Sequence, residues 1–163
     1  MKVYHGTDHI LQQPDPNFNS RRRVDFGRGF YTTSSKQQAV NWTKVLKNRN
    51  ETIKQIVNVY DLDDEFLDKL SIKNFTEPSD EWFDLVRQCR NDHFPKEYDQ
   101  FDIIIGPIAD DGVATTFRLY ETNVLTLSEA IARLKSEKLF NQVVFKSEKS
   151  FQLLTFIESI EVN

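Results

Sequence analysis

Short apolar segments alternate with amphipathic ones along this chain, and the alternation predicts a mixture of strands and helices. Runs rich in β-branched and aromatic residues indicate strands, and the run FDIIIGP, which is almost wholly apolar, indicates a buried one. Strands are therefore predicted at KVYHG, GFYTT, TIKQIVNVYDL, FDIIIGP, NQVVFKS and LLTFIESIEV.

Helix start signals lie between these strands. Ser35 followed by Gln38 resembles a capping box, and Thr126 followed by Glu129 is a second one. Helices are predicted from residue 36 to about residue 47 and over DDEFLDKL, DEWFDLVRQCRN and TLSEAIARLKSEK. The proline- and asparagine-rich segment 7–20 is predicted to be a loop.

Length and composition predict the domain organisation. The chain has 163 residues, which suits one domain with a proper core, and it contains no repeat, linker or low-complexity tract. We therefore predict a single domain over residues 1–163, of the α+β class.

Charge and cysteine content narrow the classes of function. With 21 Lys and Arg against 25 Asp and Glu, the net charge of -4 argues against a non-specific nucleic-acid binder. The single cysteine, Cys89, permits neither an internal disulfide nor a multi-cysteine metal site. The start MKVYHGTDHI lacks the apolar region of a secretory signal, and no apolar run is long enough to span a membrane. A cytoplasmic protein without a membrane partner is the expectation.

The stretch DFGRGFYTTSSKQQAVNW carries two familiar signals that do not hold. Its Asp-Phe-Gly is not a kinase motif, because the chain has no His-Arg-Asp loop and is too short for two kinase lobes. The dinucleotide fingerprint fails because Thr32 occupies the place of the third glycine. What remains is a two-glycine turn that leads into Phe30 and Tyr31, interpretable as a ligand-binding turn or as a hairpin followed by core aromatics.

Other candidate residues have ordinary structural explanations. His5 and His9 have the spacing of metal ligands on a helix, but the segment is strand-like, so no metal site is predicted. Cys89 is predicted to be a packed thiol rather than a nucleophile. Asp110 and Asp111 follow a buried strand and could bind a cation or a ribose, or could simply cap the loop.

Three motifs in order resemble the ADP-ribosyltransferase superfamily, in its branch related to diphtheria toxin and poly(ADP-ribose) polymerase. They are VYHGT, the turn and helix of FGRGFYTTSSKQQAVNW, and NQVVF in the place of a later strand. More narrowly, nearly the whole chain resembles an uncharacterised bacterial family of that superfamily. That family shares the Tyr-His-Gly-Thr start, the Asp-Phe-Gly-x-Gly-Phe-Tyr turn and a Gly-Pro-x-Ala-Asp-Asp segment. The resemblance implies a split β-sheet with flanking helices and NAD as co-substrate, with no metal.

The resemblance also implies roles for particular residues. His5 would hydrogen-bond the adenosine ribose, and the Gly6 backbone would hold the nicotinamide amide. Tyr31 and Trp42 would stack on the nicotinamide ring. The pyrophosphate would meet Arg28 or the cluster Arg21 to Arg23. The implied NAD-binding set is His5, Gly6, Thr7, Arg28, Gly29, Tyr31 and Trp42, and the implied catalytic set is His5, Tyr31 and Gln142.

The third motif departs from the pattern of many relatives. They carry glutamate where this chain has Gln142, and Glu148 is the nearest downstream carboxylate that could substitute. The other branch of the superfamily, with arginine on the first strand and Glu-x-Glu near the end, does not fit His5 and the segment ESIE.

The function implied is mono-ADP-ribosyl transfer from NAD to an unknown protein or nucleic acid. A toxin or defence effector with a cognate antitoxin protein is one setting for it. The alternatives are an NAD glycohydrolase, a non-catalytic module that binds NAD or ADP-ribose, and an activity like that of RNA 2′-phosphotransferases.

Overall fold

The computed structural model describes residues 1–15, 24–63, 65, 67–137 and 139–162. The described residues contain seven strands and five helices. The strands are β1 (Lys2–Thr7), β2 (Phe30–Thr33), β3 (Ile56–Leu62), β4 (Ile72–Asn74), β5 (Ile103–Pro107), β6 (Asn141–Phe145) and β7 (Leu154–Glu161). The helices are α1 (Lys36–Arg49), α2 (Asp80–Arg90), α3 (Asp111–Glu121), α4 (Leu127–Lys135) and the one-turn α5 (Glu148–Phe151). Short 3₁₀ turns lie at Leu67–Lys69 and Lys96–Tyr98.

All seven strands belong to one sheet, in the order β4-β5-β6-β2-β1-β3-β7. Neighbours are antiparallel except for β4 and β5. The junction of β1 with β2 is unlike the others, because only Tyr4 and Thr33 are in register there. On its other side β1 pairs with β3 along its whole length, from Lys2 opposite Asp61 to Thr7 opposite Ile56. The sheet therefore parts in its middle, immediately after Tyr4.

Two hydrophobic cores form on the two faces of the sheet. The larger packs α2, α3 and α4 against it, around Trp82, Phe83 and Phe117. The smaller is built around Phe30 and Tyr60. Successive side chains of β6 point to opposite faces and contribute to both cores, because Val144 belongs to the first whereas Val143 and Phe145 belong to the second.

The described residues confirm the α+β class and the six predicted strands, with shifted ends. Ser35 caps α1, where its hydroxyl accepts from the Gln38 N–H at 3.2 Å, and the helix continues to Arg49 rather than Lys47. The capping box of Thr126 and Glu129 is present in full at the start of α4. The predicted helix DDEFLDKL is reduced to the 3₁₀ turn Leu67–Lys69, although residues 64 and 66 lie outside the described part.

Three elements were not predicted, namely β4, α3 and α5. The sequence of α3, DGVATTFRLYE, contains a glycine, a valine and two threonines, which are weak helix formers. Val113 and Phe117 enter the larger core from this helix, so tertiary packing outweighs local preference. None of the helices in the described residues is long and apolar enough to cross a membrane.

Candidate functional site

A cleft of about 550 Å³ opens where β1 and β2 part, between α1, β6 and the loop after β5. This volume falls within the usual range of small-molecule sites. Its lining includes His5 and Gly6 from β1, Tyr31 from β2, Trp42 from α1 and Gln142 from β6. Residues far apart in the sequence therefore share one concave surface.

The register of β1 directs the backbone of Gly6 into this opening. Met1 and Leu62 exchange both backbone hydrogen bonds, at 2.9 and 2.7 Å. Because hydrogen-bonded and non-hydrogen-bonded pairs alternate in an antiparallel ladder, the N–H and C=O of Gly6 point away from β3. They point to the β2 side, where Gly6 has no partner in register. Glycine is needed here because a Cβ would lie 2.3 Å from the Ala39 carbonyl oxygen of α1.

His5 bridges the gap between the two strands with its side chain. Its Nδ1 lies 2.7 Å from the Tyr31 carbonyl oxygen, and its ring packs on Phe30 at a centroid distance of 4.6 Å. A carbonyl only accepts, so Nδ1 carries the proton and Nε2 of the neutral ring is an acceptor. The imidazole is thus held in one orientation and one tautomer.

Tyr31 contributes its ring to the cleft and its hydroxyl to the preceding turn. The hydroxyl donates to the Gly27 carbonyl at 2.6 Å and accepts from the Phe26 N–H at 3.0 Å. Burial of the hydroxyl, reinforced by the nearby Asp25 carboxylate, raises the pKa of Tyr31 well above its ordinary value. The phenol therefore does not exchange a proton near neutral pH, and what it offers a ligand is a half-buried ring.

The two-glycine turn is fixed by residues from elsewhere. Gly27 has φ +71°, and a Cβ there would lie 2.5 Å from the Phe94 ring. Lys146 donates to the carbonyls of Phe26 at 2.9 Å and Arg28 at 2.8 Å, and its ammonium lies 4.2 Å from the centre of the Phe94 ring. Burial lowers the pKa of Lys146 to about 8. The turn is thereby held in the shape that presents the residues on either side of it to the cleft.

Asp25, at the start of that turn, is a buried carboxylate at the floor of the cleft. Its side chain is 9% exposed, and its Oδ1 accepts from Arg90 Nε at 3.0 Å. Its Oδ2 accepts from the Ala109 N–H at 2.9 Å and from Gln142 Nε2 at 2.8 Å. Arg90 also donates to the Ala109 carbonyl. A hydrogen-bonded network that contains an ion pair thus lies beneath the third motif.

Gln142 is oriented by this network. Its Nε2 donates to Asp25 and, at 3.2 Å, to the Pro107 carbonyl oxygen. Both amide hydrogens are therefore committed to the protein, and the carbonyl oxygen is the part of the side chain that can accept from a ligand. The side chain lines the cleft, as the alternation of β6 predicts, because Val143 and Phe145 occupy the opposite face.

Trp42 stands at the rim of the cleft rather than in a helix core. It is 38% exposed, and the Arg49 guanidinium carbon lies 5.8 Å from its ring centre, two turns further along α1. Both residues line the cleft. This wall of α1 therefore offers an aromatic face with a cation beside it.

Three members of the predicted NAD-binding set do not line the cleft in this structure. Thr7 is buried, and its hydroxyl lies 3.3 Å from Asp8 Oδ1. Arg28 is exposed on the turn. Gly29 lies against β6, where a Cβ would come within 2.6 Å of Val144. The cluster Arg21 to Arg23 lies outside the described residues.

The remaining candidate residues cap or begin a helix, are packed in the interior, or lie outside the cleft. Asp110 caps α3 by accepting from the N–H groups of residues 112 and 113 at 3.0 and 3.1 Å, and it also lines the cleft. Asp111 is the first residue of that helix. Cys89 is buried, and burial raises its pKa to about 12, as expected for a packed thiol. Glu148 is exposed at the start of α5, beyond the end of β6 opposite to Gln142, and does not line the cleft.

His9 lies on the surface beside Asp8, with Nδ1 2.6 Å from Oδ1 of that carboxylate. The described residues contain no group of three or more His, Cys, Asp or Glu side chains placed to hold a metal ion.

Sequence reasoning missed two residues of the cleft floor, Asp25 and Arg90. Asp25 belongs to the Asp-Phe-Gly-x-Gly-Phe-Tyr turn but was given no role after the kinase interpretation failed, although an acidic residue two positions before a glycine of positive φ was a usable signal. Arg90 gave no local signal, because 65 positions separate it from Asp25 in the chain.

Comparison with known proteins gives a family without an assigned activity. No curated protein matches the chain. The profile of the DUF3990 family, described as a protein of unknown function, matches residues 1–156. The chain therefore belongs to the DUF3990 family.

Proposed function

We propose that this protein is a mono-ADP-ribosyltransferase that takes ADP-ribose from NAD and transfers it to a macromolecule. The observation that supports the proposal is the cleft itself. It gathers His5, Gly6, Tyr31, Trp42 and Gln142, which come from all three resembling motifs, around one space of ligand size. The parting of the sheet between β1 and β2 also fits the split sheet that the resemblance implies.

Each group matches a part of NAD. The acceptor Nε2 of His5, which is buried in this structure, would hydrogen-bond a ribose hydroxyl, and the backbone of Gly6 would offer a donor and an acceptor to the carboxamide. The rings of Tyr31 and Trp42 suit the flat cationic nicotinamide on its two faces. The carbonyl oxygen of Gln142 would accept from the 2′-hydroxyl of the nicotinamide ribose.

The reaction breaks the bond between C1′ of that ribose and the nicotinamide nitrogen. Nicotinamide leaves with the electron pair of the bond, and the ribose acquires oxocarbenium character. Gln142 would orient the sugar, and its carbonyl dipole would stabilise the developing positive charge. A nucleophile of the acceptor then bonds to C1′ and loses its proton to solvent or a base.

A nicotinamide-release assay tests the proposal. The protein is incubated with NAD alone, with NAD and cell lysate, and with NAD and lysate treated with ribonuclease or protease. Release that requires lysate supports a transferase, and the treated lysates tell an RNA acceptor from a protein one. Release with NAD alone would instead indicate a glycohydrolase. Binding of NAD without release would indicate a binding module, and absence of both would overturn the site.

Trp42→Ala is expected to weaken NAD binding by about 1–2 kcal/mol, because it removes an exposed ring that faces a cationic ligand. The melting temperature should hardly change, since the ring is not in either core. Calorimetric titration of NAD gives the affinity. Val124→Ala removes a 64% exposed apolar side chain that does not line the cleft, and it serves as the matched control. Equal affinity in the Trp42 variant and the control would contradict the stacking role.

We also propose a toxin-like role with a neutralising partner protein, by analogy with small relatives in the resembling family. Induction of the wild-type protein in a bacterial host should arrest growth, and His5→Ala should relieve the arrest at matched expression. His9→Ala, which changes an exposed histidine outside the cleft, should remain toxic. Indistinguishable growth of the wild-type and His5→Ala strains would count against this role.

A further inference from the structure

We propose that Asp25 is a positioning residue that sets which way the amide of Gln142 points, and so makes a glutamine work at the third motif. This inference rests on the proposed function, because it concerns the acceptor oxygen that Gln142 presents to the nicotinamide ribose. It concerns a residue pair that the three motifs do not connect, since 117 positions separate the partners in the chain.

An amide side chain has two ends of nearly equal shape and opposite hydrogen-bonding character. A glutamine can therefore present either an acceptor or a donor to the same point in space. Only the acceptor end is useful toward a ribose hydroxyl that must donate. Something in the protein has to distinguish the two ends, and a carboxylate does so because it accepts only.

Asp25 meets this requirement at the floor of the cleft. Its Oδ2 is 2.8 Å from Gln142 Nε2, and the Pro107 carbonyl oxygen, also a pure acceptor, is 3.2 Å from the same nitrogen. A flipped amide would bring its oxygen against both acceptors. The carboxylate itself is fixed by Arg90 Nε at 3.0 Å and by the Ala109 N–H at 2.9 Å. The geometry leaves the Gln142 carbonyl oxygen toward the cleft.

The same contact explains why glutamate is not suited to position 142 in this chain. A glutamate there would place a second carboxylate within hydrogen-bond distance of Asp25, and two adjacent like charges destabilise each other. In this chain the carboxylate belongs instead to Asp25, the hydrogen-bond partner of Gln142, where Arg90 balances its charge. Asp25 therefore acts as the acceptor and Gln142 as the donor of one fixed hydrogen bond.

Exchange of the two roles tests the proposal with four proteins, namely wild type, Asp25→Asn, Gln142→Glu and the double variant. Asp25→Asn permits the amide of Gln142 to turn its donor end to the ligand, so turnover should fall roughly 10-fold or more with NAD affinity changed much less. Gln142→Glu should lower both turnover and melting temperature, because its carboxylate is repelled by that of Asp25.

In the double variant, the amide introduced at position 25 can donate to the carboxylate introduced at position 142, whose second oxygen faces the cleft. Turnover and melting temperature should then exceed those of Gln142→Glu, and turnover should exceed that of Asp25→Asn. Recovery should be partial, because the Pro107 carbonyl loses its donor and the Ala109 N–H loses the acceptor that Asp25 Oδ2 gave it.

A purely structural role for Asp25, limited to holding Arg90 and the Ala109 N–H, gives a different result. Gln142→Glu would then do nothing to repair Asp25→Asn, and a double variant no more active than Asp25→Asn would overturn the proposal. Asp84→Asn removes an exposed carboxylate of α2 that pairs with Arg87, and it serves as the control for loss of one negative charge. If the wild-type protein neither binds NAD nor releases nicotinamide, the proposed function fails. The melting temperatures then decide the inference, since a double variant no more stable than Gln142→Glu would overturn the reciprocal contact.

Discussion

Replacement of Gln142 by alanine is expected to lower nicotinamide release roughly 10- to 100-fold while NAD affinity changes little. The lost carbonyl oxygen is the acceptor proposed for the ribose hydroxyl, and its effect should appear mainly as the sugar acquires positive charge. The stacking walls and the Gly6 backbone, which would supply most of the binding, are untouched. Single-turnover release of nicotinamide, with calorimetric titration of NAD, separates the two quantities.

Glu148→Ala is the matched control for the Gln142 variant. Glu148 was the alternative carboxylate for the third position, but it is exposed at the start of α5 and does not line the cleft. Its removal should leave turnover at the wild-type level. Wild-type turnover in Gln142→Ala would contradict the role given to this residue, and a loss in Glu148→Ala alone would transfer that role to Glu148.

Arg90→Ala is expected to lower the free energy of unfolding by about 2–4 kcal/mol, the largest stability effect in the cleft. The change leaves the Asp25 carboxylate, whose side chain is 9% exposed, without its ion partner. It also removes a donor to the Ala109 carbonyl. Arg90 itself is 26% exposed, so partial solvation keeps the loss below that of a fully buried pair. Urea unfolding at neutral pH measures the difference.

Arg87→Ala provides the comparison on the same helix. Its guanidinium pairs with Asp84 at 3.1 Å, but the two side chains are 38% and 55% exposed. Exposed pairs of this kind contribute about 0–1 kcal/mol, so the loss should be small. Similar stability losses in the Arg87 and Arg90 variants would show that the network beneath the cleft contributes no more to the free energy of unfolding than an exposed ion pair does.

Local patterns predicted most of the regular elements because each pattern reflects a choice made within a few residues. The capping box at Thr126 and the apolar run that became β5 are examples. Helix α3 escaped prediction because Gly112 and two threonines lower its local preference, and the contacts that stabilise it come from other helices. Strand β4 spans only three residues and exists through its parallel pairing with β5.

In the candidate site, too, residues of local motifs could be predicted from the sequence, whereas contacts between distant segments could not. His5, Gly6 and Tyr31 belong to compact motifs, and the resemblance of those motifs to a known family nominated them. The contact of Asp25 with Arg90 and Gln142 joins three distant segments, and neither its existence nor its geometry is visible in any one of them. The prediction for Thr7 and Gly29 followed from motif membership, whereas their side-chain faces are occupied by the protein's own packing.

The parted strands have a consequence for selectivity. The N–H and C=O of Gly6 point into the cleft on the side of β1 where β2 supplies no partner in register. Under the proposed function, the primary carboxamide of nicotinamide, which carries the same donor and acceptor as a peptide group, would pair with Gly6 there. A carboxylic acid at the same place is ionised, lacks the donor and would face the Gly6 carbonyl with a negative charge. Discrimination between an amide and its acid would thus follow from the register of β1, which sets the direction of the Gly6 N–H and C=O.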